Sequence, residues 1–297
     1  MLLDDRAGDV GIADEPAEAR APLADIARRL ARATEARGAP GLCPIAPSRY
    51  EVALLCEGLF DALVPGSYPS HGGAGRGNSA EALEHLHARA LALLACAAGC
   101  AGGSVDAGDS AFALIASLPD VQQALTEDLR AGYAADPAAT GMLEIAVSYP
   151  GIVAVAIHRL AHRLYARGVP LLPRMMAEWA HAQTGVDIHP GARIGRRFFV
   201  DHGTGVVIGA TAIVGDDVTL YHGVTLGTLS FARDAGGQLV RGSKRHPTIG
   251  NGVTIYAHAM VLGGETTVGD NAVIGAATVV TRDVAPGAMV CRERAVG

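Results

Sequence analysis

Three short polar runs carry residue types suited to moving a proton and holding a small charged molecule. They are Val186-Asp187-Ile188-His189-Pro190, Val200-Asp201-His202-Gly203-Thr204-Gly205 and Lys244-Arg245-His246-Pro247. Asp187 and His202 are fifteen residues apart. A carboxylate beside an imidazole fixes the ring's tautomer and stabilises the imidazolium, so the ring can remove a proton from a hydroxyl. That is general-base chemistry of the kind acyl transfer needs. On spacing alone, a solvated surface contact is an equal reading of an isolated Asp–His pair.

The elements that must position these runs follow a period of six. Ile208, Val214, Leu220 and Leu226 are six apart, and so are Val206, Ala212, Val218 and Val224. The period starts, shifted by two, at Ile188, Ile194 and Val200, and returns at Leu262, Val268, Ile274 and Val280. Six is neither the helical period nor the simple strand period. One aliphatic and one small inward residue per hexad is the pattern of a parallel β-helix, each hexad forming one side of a three-sided coil. Gly after Ile or Val, as at Ile194-Gly195 and Ile208-Gly209, suits the tight corners. About a dozen hexads predict roughly four coils. Asp187 and His202, separated by a little less than one coil, would then lie on neighbouring coils. Thr228 to Lys244 lacks the period and contains Asp234, Gly236 and Gly237, so it should protrude.

The first half has a different texture, rich in Ala, Leu, Arg and Glu at helical spacing. Helices are predicted at 22–37, 48–63 (Ser48 and Glu51 forming a capping box), 79–101, 110–118, 119–132, 137–147, 150–167 and 174–183. Residues 65–78 read as a Gly- and Pro-rich loop, and its glycines lack the strand and lysine of a nucleotide loop. The organisation predicted is therefore α+β. An α-helical N-terminal domain spans 1–184, with 1–20 as a frayed arm. A β-helix domain spans 185–290 with the protruding loop at 228–244, and 291–297 form a short tail.

Composition narrows the partners. Lys plus Arg is 24 against 30 for Asp plus Glu, a net charge of −6, which argues against a nucleic-acid binder. The apolar run 90–103 is too short and Gly-rich for a membrane span, and no signal-peptide core opens the chain. Five scattered cysteines (43, 56, 96, 100, 291) predict reduced thiols in the cytoplasm. His158 and His162, four apart, lack the Glu of a zinc-peptidase motif and read as packing residues.

The runs DIHPGARIG, VDHGTGVVIGATAIVGDDVTLYHGVTLGT and KRHPTIGNGVTIYAHAMVLGGETTVGDNAVIGAATVVT resemble the serine O-acetyltransferases, over about 187–283. Ala135-Asp136-Pro137-Ala138 extends the match into the helical half. The resemblance implies a left-handed β-helix and acetyl transfer from acetyl-CoA to the hydroxyl of L-serine, without an acyl-enzyme. It implies His202 as the base, Asp187 orienting it, and Asp136 and Asp201 holding the substrate ammonium. Arg245 and His246 would hold the carboxylate as two cationic groups. It also implies an acetyl-CoA groove between adjacent subunits, walled here by Gly227, Thr228, Ala257 and Gly275. Arg233, Arg241 and Lys244 of the longer loop either meet a CoA phosphate or are merely solvated. The family pattern further implies a homotrimer or dimer of trimers, and inhibition by L-cysteine. A cysteine synthase partner is not carried over, because the tail is short and does not end in Ile. His202, His222, His246 and His258 could share a zinc between subunits, but their spacing follows the acetyltransferase motifs, so no metal is expected. Another acceptor, or a non-catalytic trimeric scaffold, are the alternatives.

Overall fold

A six-residue repeat closes into a coil only if every sixth side chain is swallowed by the interior. In the computed structural model this is what happens. Ile208, Val214, Leu220 and Leu226 are all buried, and Val206, Ala212, Val218 and Val224 are fully so. The structure describes residues 25–26, 28–29, 46–68, 78–101 and 105–291. The chain divides into two units, Met1–Pro44 and Ile45–Gly297. Of the first, Asp25, Ile26, Arg28 and Arg29 are described, helical and exposed. The predicted arm, most of helix 22–37, the centre of the 65–78 loop, Cys43 and the tail beyond 291 lie outside the described residues.

In the second unit, seven helices precede fourteen strands among the described residues. They are α1 (Arg49–Leu63), α2 (Ala80–Ala101), α3 (Ala107–Ala116), α4 (Leu118–Ala135), α5 (Met142–Ser148), α6 (Pro150–Ala166) and α7 (Leu172–Thr184). The predicted helices from 48 onward all have counterparts here, with shifted ends. The capping box on α1 does not form, since Ser48 makes no side-chain cap bond. Glu51 instead pairs with Arg89 of α2 at 3.6 Å. No single described helix is long and apolar enough to cross a membrane; α5 and α6 qualify by length and composition only as a bent pair. Cys56 is a buried free thiol.

The strands are β1 (Asp187–Ile188), β2 (Arg193–Ile194), β3 (Phe199–Asp201), β4 (Val207–Ile208), β5 (Ile213–Val214), β6 (Thr219–Tyr221) and β7 (Thr225–Gly227). After the loop come β8 (Thr248–Ile249), β9 (Thr254–Ile255), β10 (Met260–Leu262), β11 (Thr267–Val268), β12 (Val273–Ile274), β13 (Val279–Val280) and β14 (Met289–Val290). They form three parallel sheets: β1-β4-β7-β10-β13, β2-β5-β8-β11 and β3-β6-β9-β12-β14. This is a left-handed β-helix of about five coils, one more than the hexads predict. The extra coil is β13 and β14, bridged through Val268 and Val284, where the hexad spacing is broken. The glycines after Ile or Val have a different cause from the one predicted. At Gly195, an added Cβ would sit 2.5 Å from the carbonyl oxygen of Gly215 on the next coil, so close stacking excludes a side chain.

Each half has its own apolar core. A buried ion pair ties them together. Asp128 of α4, fully buried, takes two hydrogen bonds from Arg159 of α6 at 2.8 and 2.9 Å. Asp128 also accepts the Phe198 N–H at 2.9 Å, and Arg159 donates to the Gly195 carbonyl at 2.9 Å. Burial pushes the Asp128 carboxyl up, against the pull of the guanidinium and the Phe198 N–H. The pair therefore fixes α4 and α6 to the first coil, and with them the end of α4.

Candidate active site

Each coil has three corners. The first follows the β1 sheet, the second the β2 sheet and the third the β3 sheet. The polar runs occupy the first and third. At the third corner, β3 ends in Asp201 and the chain turns at His202 with φ +58°. The left-handed position that recurs at this corner, at Gly223, His258 and Ala277 of later coils, corresponds on the first coil to Gly205, and His202 adopts the conformation in addition to it. The turn puts the His202 side chain in solvent, 71% exposed, with Nδ1 3.7 Å from the Asp201 carboxylate. Asp187, at the start of β1, faces outward and is half-buried. Among the described residues it makes no hydrogen bond or ion pair to His202, and its charge acts on His189.

The end of α4 delivers Asp136 to the same corner. Asp136 caps the helix, accepting the Ala138 N–H at 2.8 Å and the Tyr149 hydroxyl at 2.5 Å. The Tyr149 hydroxyl, then the Ala138 N–H, hold the Asp136 carboxyl below the usual range, and nearby His202 adds to the effect. Tyr149 is pushed up to about 12 by the same bond, so it stays a donor. Tyr149 is in turn seated on the buried ring of Phe199, 6.4 Å between centroids. Tyr221, opposite Asp201 on the next coil, is raised by burial and then by Asp201. The third corner thus gathers Asp136, Asp201 and His202, two carboxylates beside an exposed imidazole. Tyr149 is the functional residue that sequence reasoning missed. Nothing in its spacing marks it, because it acts through a helix end thirteen residues away.

The first corner holds the other half. Thr211 is its hub: its hydroxyl oxygen accepts the N–H groups of Arg245 and His246 at 3.0 and 3.1 Å and lies 2.8 Å from His246 Nδ1. The Thr211 N–H donates to the same nitrogen at 3.1 Å. His246 is buried, its ring lying where a Gly209 side chain would be. Burial, then Arg245 and Lys244, push it down to about 4. His246 is therefore an uncharged N–H donor at neutral pH, which corrects its expected role as a cation. The Arg245 guanidinium has no side-chain hydrogen bond or ion pair among the described residues, so its fork is free. Lys244 donates to the carbonyls of Thr211 and Pro247 at 2.8 and 3.2 Å and is committed to the corner. The loop between β7 and β8 does protrude, as a hairpin closed around Asp234. Its Arg233 donates to the Gly237 carbonyl at 2.7 Å, and Arg241 is exposed.

The expected wall residues divide in the same way. Gly227 and Thr228 stand at the first corner, Ala257 and Gly275 at the third. Small residues keep the third corner open: Ala257 and Gly275 are half-buried, and Ala276 and Ala277 exposed. Among the described residues no cluster of three or more His, Cys, Asp or Glu side chains is placed to hold a metal ion.

No protein-family model matches the chain. It is 51% identical over 178 residues to the plasmid serine acetyltransferase of Synechococcus elongatus, covering 60% of this chain and 56% of that relative's length. It is 53% identical over 167 residues to the serine acetyltransferase of Mycobacterium tuberculosis, covering 56% of this chain and 69% of that protein. Its fold matches the crystal structure of Entamoeba histolytica serine acetyltransferase 1 in complex with L-cysteine, with a TM-score of 0.71 and 39% identity. That match covers 79% of this chain and 85% of the other. With about half the residues shared over 167 to 178 positions, and the same fold over 79% of its length, this chain belongs to the serine acetyltransferase family.

Proposed function

We propose that this protein transfers the acetyl group of acetyl-CoA to the hydroxyl of L-serine, giving O-acetyl-L-serine and CoA. The observation that carries the reading is the pairing of charges. Asp136 and Asp201 at the third corner suit an ammonium, while the Arg245 fork and the neutral His246 at the first suit a carboxylate. Together they make a site for a free amino acid.

His202 removes the serine hydroxyl proton as the oxygen attacks the thioester carbonyl. As the C–S bond breaks, the imidazolium returns the proton to the CoA sulfur. Asp201 stabilises the imidazolium, with Asp187, on the adjoining side of the coil, as a second acid. Tyr149 holds Asp136 ionised for the ammonium. The small residues Gly227, Thr228, Ala257 and Gly275 let the pantetheine arm lie against backbone. Because the two half-sites occupy different corners of one coil, each complete site combines the third corner of one subunit with the first corner of another. A trimer, or a dimer of trimers, follows. L-cysteine presents the same ammonium and carboxylate as serine and is proposed as an inhibitor. It is also the ligand of the Entamoeba relative. The acetyl-CoA supply fits a cytoplasmic enzyme.

The test is release of CoA thiol from acetyl-CoA with a panel of hydroxyl acceptors. Turnover that saturates in L-serine, and is weak with D-serine, homoserine and threonine, is the expected result. Release with a sugar or simple alcohol but not serine would overturn the acceptor. No release and no CoA binding by a folded protein would overturn the activity.

A further inference from the structure

His202 is held by little that can be seen at its own position. Its side chain is 71% exposed, and Nδ1 is 3.7 Å from Asp201, beyond hydrogen-bond length. The side chain that meets its ring comes from the next coil. His222 lies 5.6 Å from it between ring centroids, tilted by 57°. His222 is itself gripped. His258, one coil further on, meets it edge-on at 4.9 Å and 87°, and the His258 N–H donates to the His222 carbonyl at 2.9 Å. The His258 ring rests on Gly223, where an added Cβ would lie 2.2 Å from its Nδ1. The Nδ1 of His222 is shut off from water and has no hydrogen-bond partner. Three imidazoles from three successive coils thus stand in a column that ends at His202.

We propose that His222 is a positioning residue for His202: its ring is the wall against which the general base is oriented, and His258 is the prop behind that wall. The proposal rests on His202 being the base. Without the wall, His202 would sample rotamers that turn Nε2 away from the acceptor hydroxyl. Misplacement of a reacting group by about 1 Å can cost as much as ~10²-fold in rate.

His222→Ala is expected to lower kcat by about 10- to 100-fold, leaving the KM values for serine and acetyl-CoA within about twofold. His222→Phe restores the wall without the nitrogens and should recover most of kcat. His258→Ala should act in the same direction with a smaller loss. Oligomer mass and melting temperature of each variant report folding. A readout independent of turnover is the ring NMR spectrum of His202, assigned with His202→Gln. In His222→Ala the His202 ring signals should move and average, and in His222→Phe they should stay dispersed. An unchanged His202 spectrum in folded His222→Ala would overturn the proposal. So would a loss in kcat that His222→Phe fails to restore, or a loss confined to KM. If His202→Ala leaves turnover intact, the role of His202 as base fails, while the NMR comparison still decides whether His222 orients it.

Discussion

At the scale of single residues, the two corners make separable demands on catalysis. His202→Ala should lower kcat by about 10²–10⁴-fold, the usual cost of losing a general base. Its serine KM should change little, because the charges that hold the amino acid remain. Arg245→Ala should raise the serine KM and leave the acetyl-CoA KM in place; steady-state kinetics with each substrate varied would show the split. The same residues set a pH dependence of stability. His158 is buried with an unpartnered Nδ1, and burial holds it well below its ordinary pKa. His189 is lowered by burial, and His246 to about 4. The unfolded chain titrates these rings near ~6.5, so between that pH and about 4 it binds more protons than the folded chain. Stability should therefore fall as pH drops from about 6.5 toward 4 and level off above 7. Denaturant midpoints measured from pH 8 to 4.5 check this, and a flat profile would contradict it. Much of this was legible beforehand. Asp136, Asp201 and His202 could each be named from the family resemblance, but Asp187 was the acid expected beside His202, where the structure places Asp201. The neutrality of His246 was not legible, because burial on Gly209 is a property of stacked coils and leaves no mark in a string of letters.

At the scale of elements, the coil was readable and its attachment was not. A period of six survives any error in strand boundaries, so the inward sets could be named before the fold was seen. The clasp between Asp128 and Arg159 joins residues 31 apart across two helices and the first coil, with no repeat to announce it. It also explains why the end of α4 arrives at the third corner. Removing one partner of a buried pair costs about 3–5 kcal/mol. Asp128→Ala should cost that much in a urea titration, since it strands both the guanidinium and the Phe198 N–H. A loss below about 1 kcal/mol would mean that water replaces the carboxylate, against the full burial of Asp128.

At the scale of the whole molecule, the division of the site between corners predicts complementation. His202→Ala chains keep an intact first corner, and Arg245→Ala chains keep an intact third. Co-refolding equal amounts should give interfaces that are wild type on both sides with chance ½ × ½, so about a quarter of native activity should return in a closed ring. A site built within one chain would return none. Period alone could not reveal the division, because it fixes which residues face inward and is silent about which corner meets which neighbour.

The insertion at the first corner has a further consequence. Across it, Ile213 pairs with Thr248 in the same register in which Arg193 pairs with Ile213 without any insertion. The chain leaves and re-enters within a single coil step, so the length of the excursion is invisible to the core. Such a corner is a free parameter for divergence. Related chains can extend or retract this arm, and a laboratory can graft a reporter onto its tip near Gly236, while the stack beneath keeps its pitch.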